Sequence, residues 1–278
     1  MSTAARLAAK PIEVFVDGTG LLGPGFSSWP EAMAQLHGDM PYNPARCILP
    51  LPMALPPAER RRAGMVVKVS LAVAGEAVAA SGLQAAALPS VFSSSSGDAI
   101  NCHEICSALA SSDRLISPTR FHNSVHNASS GYWSISSGAM ATSSVLCAHD
   151  ASFAAGLLEA MAQVAVGQVS VLLVAYDTNY PEPLFSKRPL PDTFGVGLVL
   201  SPRQSTRSQA RWSLDPLACF TQSPADRMQG TELEDMRAGI PAARCLPLIQ
   251  HIGTSHTGQI VLDYLHELQL AVQVSPCN

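Results

Sequence analysis

Residues 152–175 read SFAAGLLEAMAQVAV, then Gly167-Gln168, then VSVLLVA. The first fifteen residues, Ser152 to Val166, have the length of a helix and many small side chains, and Gly167 is a natural stop. Val169 to Ala175 is a near-continuous apolar run with β-branched residues, the pattern of a strand buried on both faces. A helix feeding such a strand is the repeating unit of a layered α/β fold.

Outward from that unit the alternation continues. Upstream, Thr142 to Cys147 (TSSVLC) reads as a strand, and downstream Phe194 to Leu200 (FGVGLVL) reads as another. Ile12 to Val16 (IEVFV) is an opening strand that runs into Asp17-Gly18-Thr19-Gly20. Ala58 to Ala80 is predicted helical, with Gly82 as its stop. Pro89 to Phe92 enters a Ser-rich turn, Ser93 to Gly97, and Asp98 is placed to cap a helix over Ala99 to Ala110. Ser117 to Asn127 is polar and reads as irregular. The order βαβαβαββ predicts an α/β fold for residues 1–200. After Ser201 the character shifts: Pro202 to Arg211 reads as a polar linker, one helix is expected within 218–244, and Leu268, Leu270, Val272 and Val274 alternate within one further element. Residues 201–278 are expected to pack as a tail on the same domain.

The chain has 278 residues with 17 basic and 21 acidic side chains, a net charge of −4, which gives no basic field for nucleic acid or an anionic membrane. Charged residues are 14% and apolar residues 47%, too apolar for disorder and so sparing of charge that part of the surface is expected to be covered, most simply by another subunit. Seven cysteines, an odd number in a chain this long, and a start without a signal peptide's apolar core predict a reduced, cytoplasmic protein. No run of eighteen apolar residues offers a membrane span.

Several local patterns carry possible chemistry. Asp17-Gly18-Thr19-Gly20 lacks the remaining spacing of a dinucleotide fingerprint and reads as a tight turn. Cys102 and Cys106 lie one helical turn apart but have no second ligand pair, so they read as buried core cysteines and no metal or cofactor is predicted. His122 and His126 stand four apart in a non-helical segment; with a serine they leave a hydrolase or acyltransferase open, although no Gly-x-Ser-x-Gly elbow is present. Cys147 ends a strand ahead of a helix, where a helix N-terminus lowers a thiol's pKa. Asp150 sits at the expected N-cap of that helix.

In order and spacing these elements resemble the N-terminal half of a β-ketoacyl synthase, a thiolase-fold condensing enzyme. The resemblance rests on VFVDGTGLLGPG, the helix ending near Gly82, VFSSSSGD, Asn127-Ala128-Ser129-Ser130-Gly131 as the family's Asn-x-x-x-Gly, and GQVSVLLVAYD, and it spans about residues 10–200. Phe121-His122-Asn123-Ser124-Val125-His126-Asn127 and SFAAGLLEA (residues 152–160) are closer still to the β-ketoacyl synthase-like N-terminal domain proteins of aryl-polyene pathways. Some of those act as chain-length-factor-like partners of a complete ketosynthase. The family's catalytic cysteine lies about 23 positions after the Asn and about 17 before the helix-ending glycine. Counted from Asn127 and from Gly167, both anchors land on Asp150. Cys147 is three residues early, about 10 Å along a strand and on its other face.

The resemblance therefore implies a thiolase-like fold of which only the N-terminal half is present, without catalytic residues, and with Asp150 at the nucleophile position. It implies a chain-length-factor-type subunit of fatty-acid or polyketide-type (aryl polyene) biosynthesis, in a heterodimer with a complete β-ketoacyl synthase and in reach of an acyl carrier protein through it. The pairing strand in ketosynthase dimers corresponds to Thr142, Ser143, Ser144, Val145, Leu146 and Cys147. The family's catalytic histidines and lysine lie in a C-terminal half, and the echo of its Gly-His-Thr stretch in His251 to Gly258 is taken as accidental. An active condensing enzyme using Cys147 and a standalone thioester hydrolase remain as alternatives.

Overall fold

A computed structural model describes residues 10–277; the reading of the N-terminus as lacking a leader falls in part on residues 1–9, outside the described residues. In chain order the elements are β1 (Ile12–Leu22), α1 (Trp29–Leu36), α2 (Pro57–Arg62), α3 (Met65–Ser81), β2 (Ser90–Ser93), α4 (Ala99–Ala110), α5 (Pro118–Asn123), α6 (Ala128–Ser137), β3 (Ser143–Leu146), α7 (Ser152–Gly167), β4 (Val171–Asp177) and β5 (Phe194–Ser201). There follow β6 (Ala210–Leu214), β7 (Phe220–Thr221), α8 (Thr231–Gly239), α9 (Leu246–Ile249), β8 (Gly258–Leu265) and β9 (Leu268–Ser275). Short 3-10 turns span His149–Ala151 and Pro241–Cys245.

One mixed sheet runs β3-β2-β4-β5-β1-β6-β9-β7, with β8 paired to β9. β2 lies parallel to both β3 and β4, while β5 runs antiparallel to β4 and β1. Every residue of β4 is buried, as its apolar run requires, and its side chains divide between two cores. Val171, Leu173 and Ala175 join the cluster that holds α7, and Leu172, Val174 and Tyr176 join the one that holds α3. The two helices therefore cover opposite faces.

Asp17-Gly18-Thr19-Gly20 is not the expected turn: it continues β1 across a register irregularity between Val16 and Gly18. Its glycines serve packing. A Cβ on Gly18 would stand 2.1 Å from the Ala77 carbonyl oxygen and one on Gly20 2.3 Å from that of Val73, so α3 lies directly on the strand backbone. The helix predicted over 58–80 is two helices, because Ala63 is extended and Gly64 caps the second. Gly82 ends α3 with φ +69, as expected. At the end of α7 the left-handed residue is Gln168, with φ +51, and Gly167 is still helical. Residues 118–123 form a short helix that Pro118 starts, so His122 is helical and His126 is not.

Residues 201–278 differ most from their sequence reading. The end of the polar linker already begins β6, which pairs with β1 through Trp212 opposite Val14. The single helix expected within 218–244 is β7, α8 and a 3-10 turn, and the last element is a hairpin. Ile240, Cys245, Leu248, Ile249, Ile260, Leu262, Leu270 and Val272 all join the α7 cluster. The tail thus packs beside α7 on the same face of the sheet.

Candidate functional site

Asp150 lies in the 3-10 turn before α7. The expected N-cap role is not taken: Ala151 occupies the cap, and no side chain satisfies it. The carboxylate instead meets two arginines from distant parts of the chain. Arg188 Nη2, in the β4–β5 connection, donates to Oδ1 at 2.5 Å, and Arg244 Nη2, in the 3-10 turn of the tail, donates to Oδ2 at 3.1 Å. Both guanidinium groups are largely buried, and Asp150 is 40% exposed. His149 reaches the same carboxylate at 3.5 Å and holds φ +52, the left-handed region that costs a non-glycine residue strain and aims the turn.

Beneath the pair lies a buried polar network. Arg188 also donates to the Tyr180 hydroxyl at 3.2 Å and stacks over its ring at 5.6 Å. Asp177, at the end of β4, is fully buried and accepts from the Ser95 backbone N–H at 2.9 Å, the Ser95 hydroxyl at 2.6 Å and the Ala242 N–H at 2.9 Å. Burial pushes Asp177 up to about 6, with the Ser95 hydrogen bonds and then that from Ala242 opposing the rise. One carboxylate thereby ties the serine turn after β2 to the tail. Cys147 completes the group by donating its thiol to the Ser95 carbonyl at 3.0 Å.

A cleft of about 370 Å³ opens on this arrangement, walled by His149, Asp150, Arg244 and the Asp263–His266 end of the β8–β9 hairpin. The sequence brought Asp150 forward; nothing local marked Arg188, Arg244 or the role of Asp177, because each acts across 38 residues or more. Only the order VLLVAYD, with an acid ending a doubly buried strand, hinted at Asp177.

The other candidates are dispersed. Cys102 and Cys106 are exposed on α4, not buried as expected, because only Ala99 and Asn101 of that helix are buried. Among the described residues no three His, Cys, Asp or Glu side chains converge as metal ligands. His126 Nε2 is buried without a partner, and neither His122 nor His126 contacts a serine hydroxyl among the described residues. His251 and His256 stack on each other at 3.9 Å, before the start of β8, whereas the Asp150 cleft is at that strand's far end. At about 3.3 Å per residue they stand roughly 20 Å away along the strand.

β3 is the terminal strand of the sheet. Ser90 N donates to Thr142 O and Ser94 N to Leu146 O, so by parallel alternation the backbone of Ser143 and Val145 points outward. Among the described residues no strand lies on that side. No helix is long and apolar enough to cross a membrane.

The family described as β-ketoacyl synthase, N-terminal domain, matches residues 29–258. None of the curated proteins matches the chain. Among solved structures, a chain of the ketosynthase ApeO in complex with its chain length factor ApeC from Xenorhabdus doucetiae is similar at TM-score 0.68 and 20% identity, covering 94% of this chain and 98% of that one. AntDE:AntF, a type II polyketide acyl carrier protein in complex with its ketosynthase bound to the hexaketide, gives TM-score 0.74 and 12% identity, covering 96% and 100%. The ishigamide ketosynthase/chain length factor gives 0.57 and 14%, covering 74% and 68%. At these identities the likeness is one of fold.

Proposed function

Since the chain belongs to the β-ketoacyl synthase N-terminal domain family and has a thiolase-like α/β fold, we propose that it is a non-catalytic, chain-length-factor-type subunit that pairs with a complete β-ketoacyl synthase. The observation that carries this reading is the state of residue 150. Condensation requires an acyl group held as a thioester on an activated sulfur. Here the family's nucleophile position is a carboxylate neutralised by Arg188 and Arg244. Cys147 does not replace it, because its sulfur is turned to the Ser95 carbonyl. Residues 1–200 form the ketosynthase-like unit in this reading, and 201–278 pack against α7 as part of the same domain.

Pairing uses the outward edge of Thr142, Ser143, Ser144, Val145, Leu146 and Cys147. The segment leading into that edge is rich in exposed apolar side chains, with Met140 94% and Leu115 78% exposed and Phe121, Val125 and Ile135 lining an apolar hollow of about 480 Å³. Such a surface beside an unpaired edge fits association. An acyl carrier protein is met through the complex, and the product is an aryl-polyene-type chain whose length the pair sets. Co-expression with a complete β-ketoacyl synthase and size-exclusion chromatography test the reading: a one-to-one complex is expected, and two independently eluting proteins would overturn it.

A further inference from the structure

We infer that a groove on the outer face of α3, remote from Asp150, binds a free long-chain carboxylate. The groove holds about 440 Å³, within the range of small-molecule sites. It runs between the coil Pro50–Ala54, the outward face of α3 and the end of α6. Its floor is smooth, because Ala72, Gly75 and Ala79 follow one another along the helix, and a Cβ built on Gly75 meets nothing within 4 Å. Leu51, Met53 and Leu83 stand exposed at its walls. α3 lies on the face of the sheet opposite α7, so this site and the Asp150 cleft are separated by the sheet itself.

Two polar features argue for an acid head on an apolar tail. Lys68 is the one charged residue of the lining, and no hydrogen bond or ion pair holds its ammonium among the described residues. A lone cation at an apolar groove complements a single negative charge and leaves a neutral chain or an apolar helix indifferent to it. Trp133, 95% buried, lines the groove with its indole N–H lacking a hydrogen-bond partner.

Trp133 also supplies the readout. Titrating the purified chain with 9,10-dibromostearate, a heavy-atom quencher, is expected to give saturable loss of tryptophan fluorescence below the micelle concentration. Lys68→Gln should weaken it about fivefold, the value of one partly exposed ion pair, and Lys68→Arg should restore it. Ala79→Phe and Gly75→Trp, which fill the groove, should abolish it; the first keeps the test open if the second alters the fold by circular dichroism. Equal affinity for the corresponding dibromo alcohol would overturn the assignment of Lys68. Quenching unchanged by Ala79→Phe, or loss of ketosynthase binding by Ala79→Phe with no fatty-acid quenching in the parent chain, would overturn the site.

Discussion

At one end of the sheet β3 is four residues long, uncharged and open along its outer edge; at the other, β9 is flanked by β6, β7 and β8, and the charges of β8 are tied down. Arg237 of α8, almost fully buried, pairs with Asp263 of β8 and with Glu234, so the far end is closed by the chain's own tail. The edge strand there is β8, and part of its outer edge is capped within the chain: the Asp226 N–H donates to the Val261 carbonyl at 2.8 Å and the Val261 N–H donates to Asp226 Oδ2 at 2.7 Å. Among the described residues β3 has no such cap, although an unprotected edge invites association. In the proposed reading the tail packs against α7 at the closed end, and the open edge of β3 receives the partner's strand.

The largest expected effect falls on the open end. Val145→Lys places an ammonium in the proposed contact and should weaken the complex with a ketosynthase by several kcal/mol. The lone chain should keep its circular dichroism, since Val145 is only half-buried against its own core. Unchanged affinity in a pull-down or calorimetric titration would remove β3 from the interface.

At the closed end, Asp177→Asn turns an amide toward a backbone donor and should cost about 3 kcal/mol in urea unfolding. The pH dependence has a defined sign. The folded pKa of Asp177, about 6, stands above the ordinary carboxylate value near 4. The native state therefore holds the proton more tightly, and stability from this group rises as pH falls through about 6. It levels off below about 4, and between pH 7 and pH 5 the gain is about 1 kcal/mol. Asp177→Asn should lack that increment in paired unfolding curves.

Asp150→Ala leaves Arg188 and Arg244 facing each other and should cost about 1 kcal/mol, limited by the exposure of the carboxylate. Asp150→Cys should not confer condensation on the chain, because a nucleophile alone is not the machinery. The smallest effect is Cys147→Ala, under about 0.5 kcal/mol in thermal unfolding and without consequence for the activity of the complex.

The sequence was most legible where periodicity and burial agree. α7 and β4 were bounded to within two residues because a helix of small side chains meets a run of β-branched ones. Asp98 does cap α4, accepting from the Asn101 N–H at 2.9 Å. Gly18 and Gly20 misled because a glycine that admits a neighbouring helix and one that makes a turn look alike in sequence. The tail was least legible: β6 is five residues with exposed Arg211 at its second position, and only pairing with β1 and β9 on its two sides makes it a strand. In the site, Asp150 could be found by counting, but its meaning depends on Arg188 and Arg244, and long-range ion pairs leave no local pattern.

The central claim is that this chain assists condensation without holding the acyl group, and intact-protein mass spectrometry tests it directly. The chain, alone and with a complete β-ketoacyl synthase, would be incubated with an acyl-loaded carrier protein and then digested for peptide mapping. The expected result is an acyl adduct on the partner's cysteine and none on any residue of this chain. A stable acyl-thioester mapped to Cys147 would contradict it.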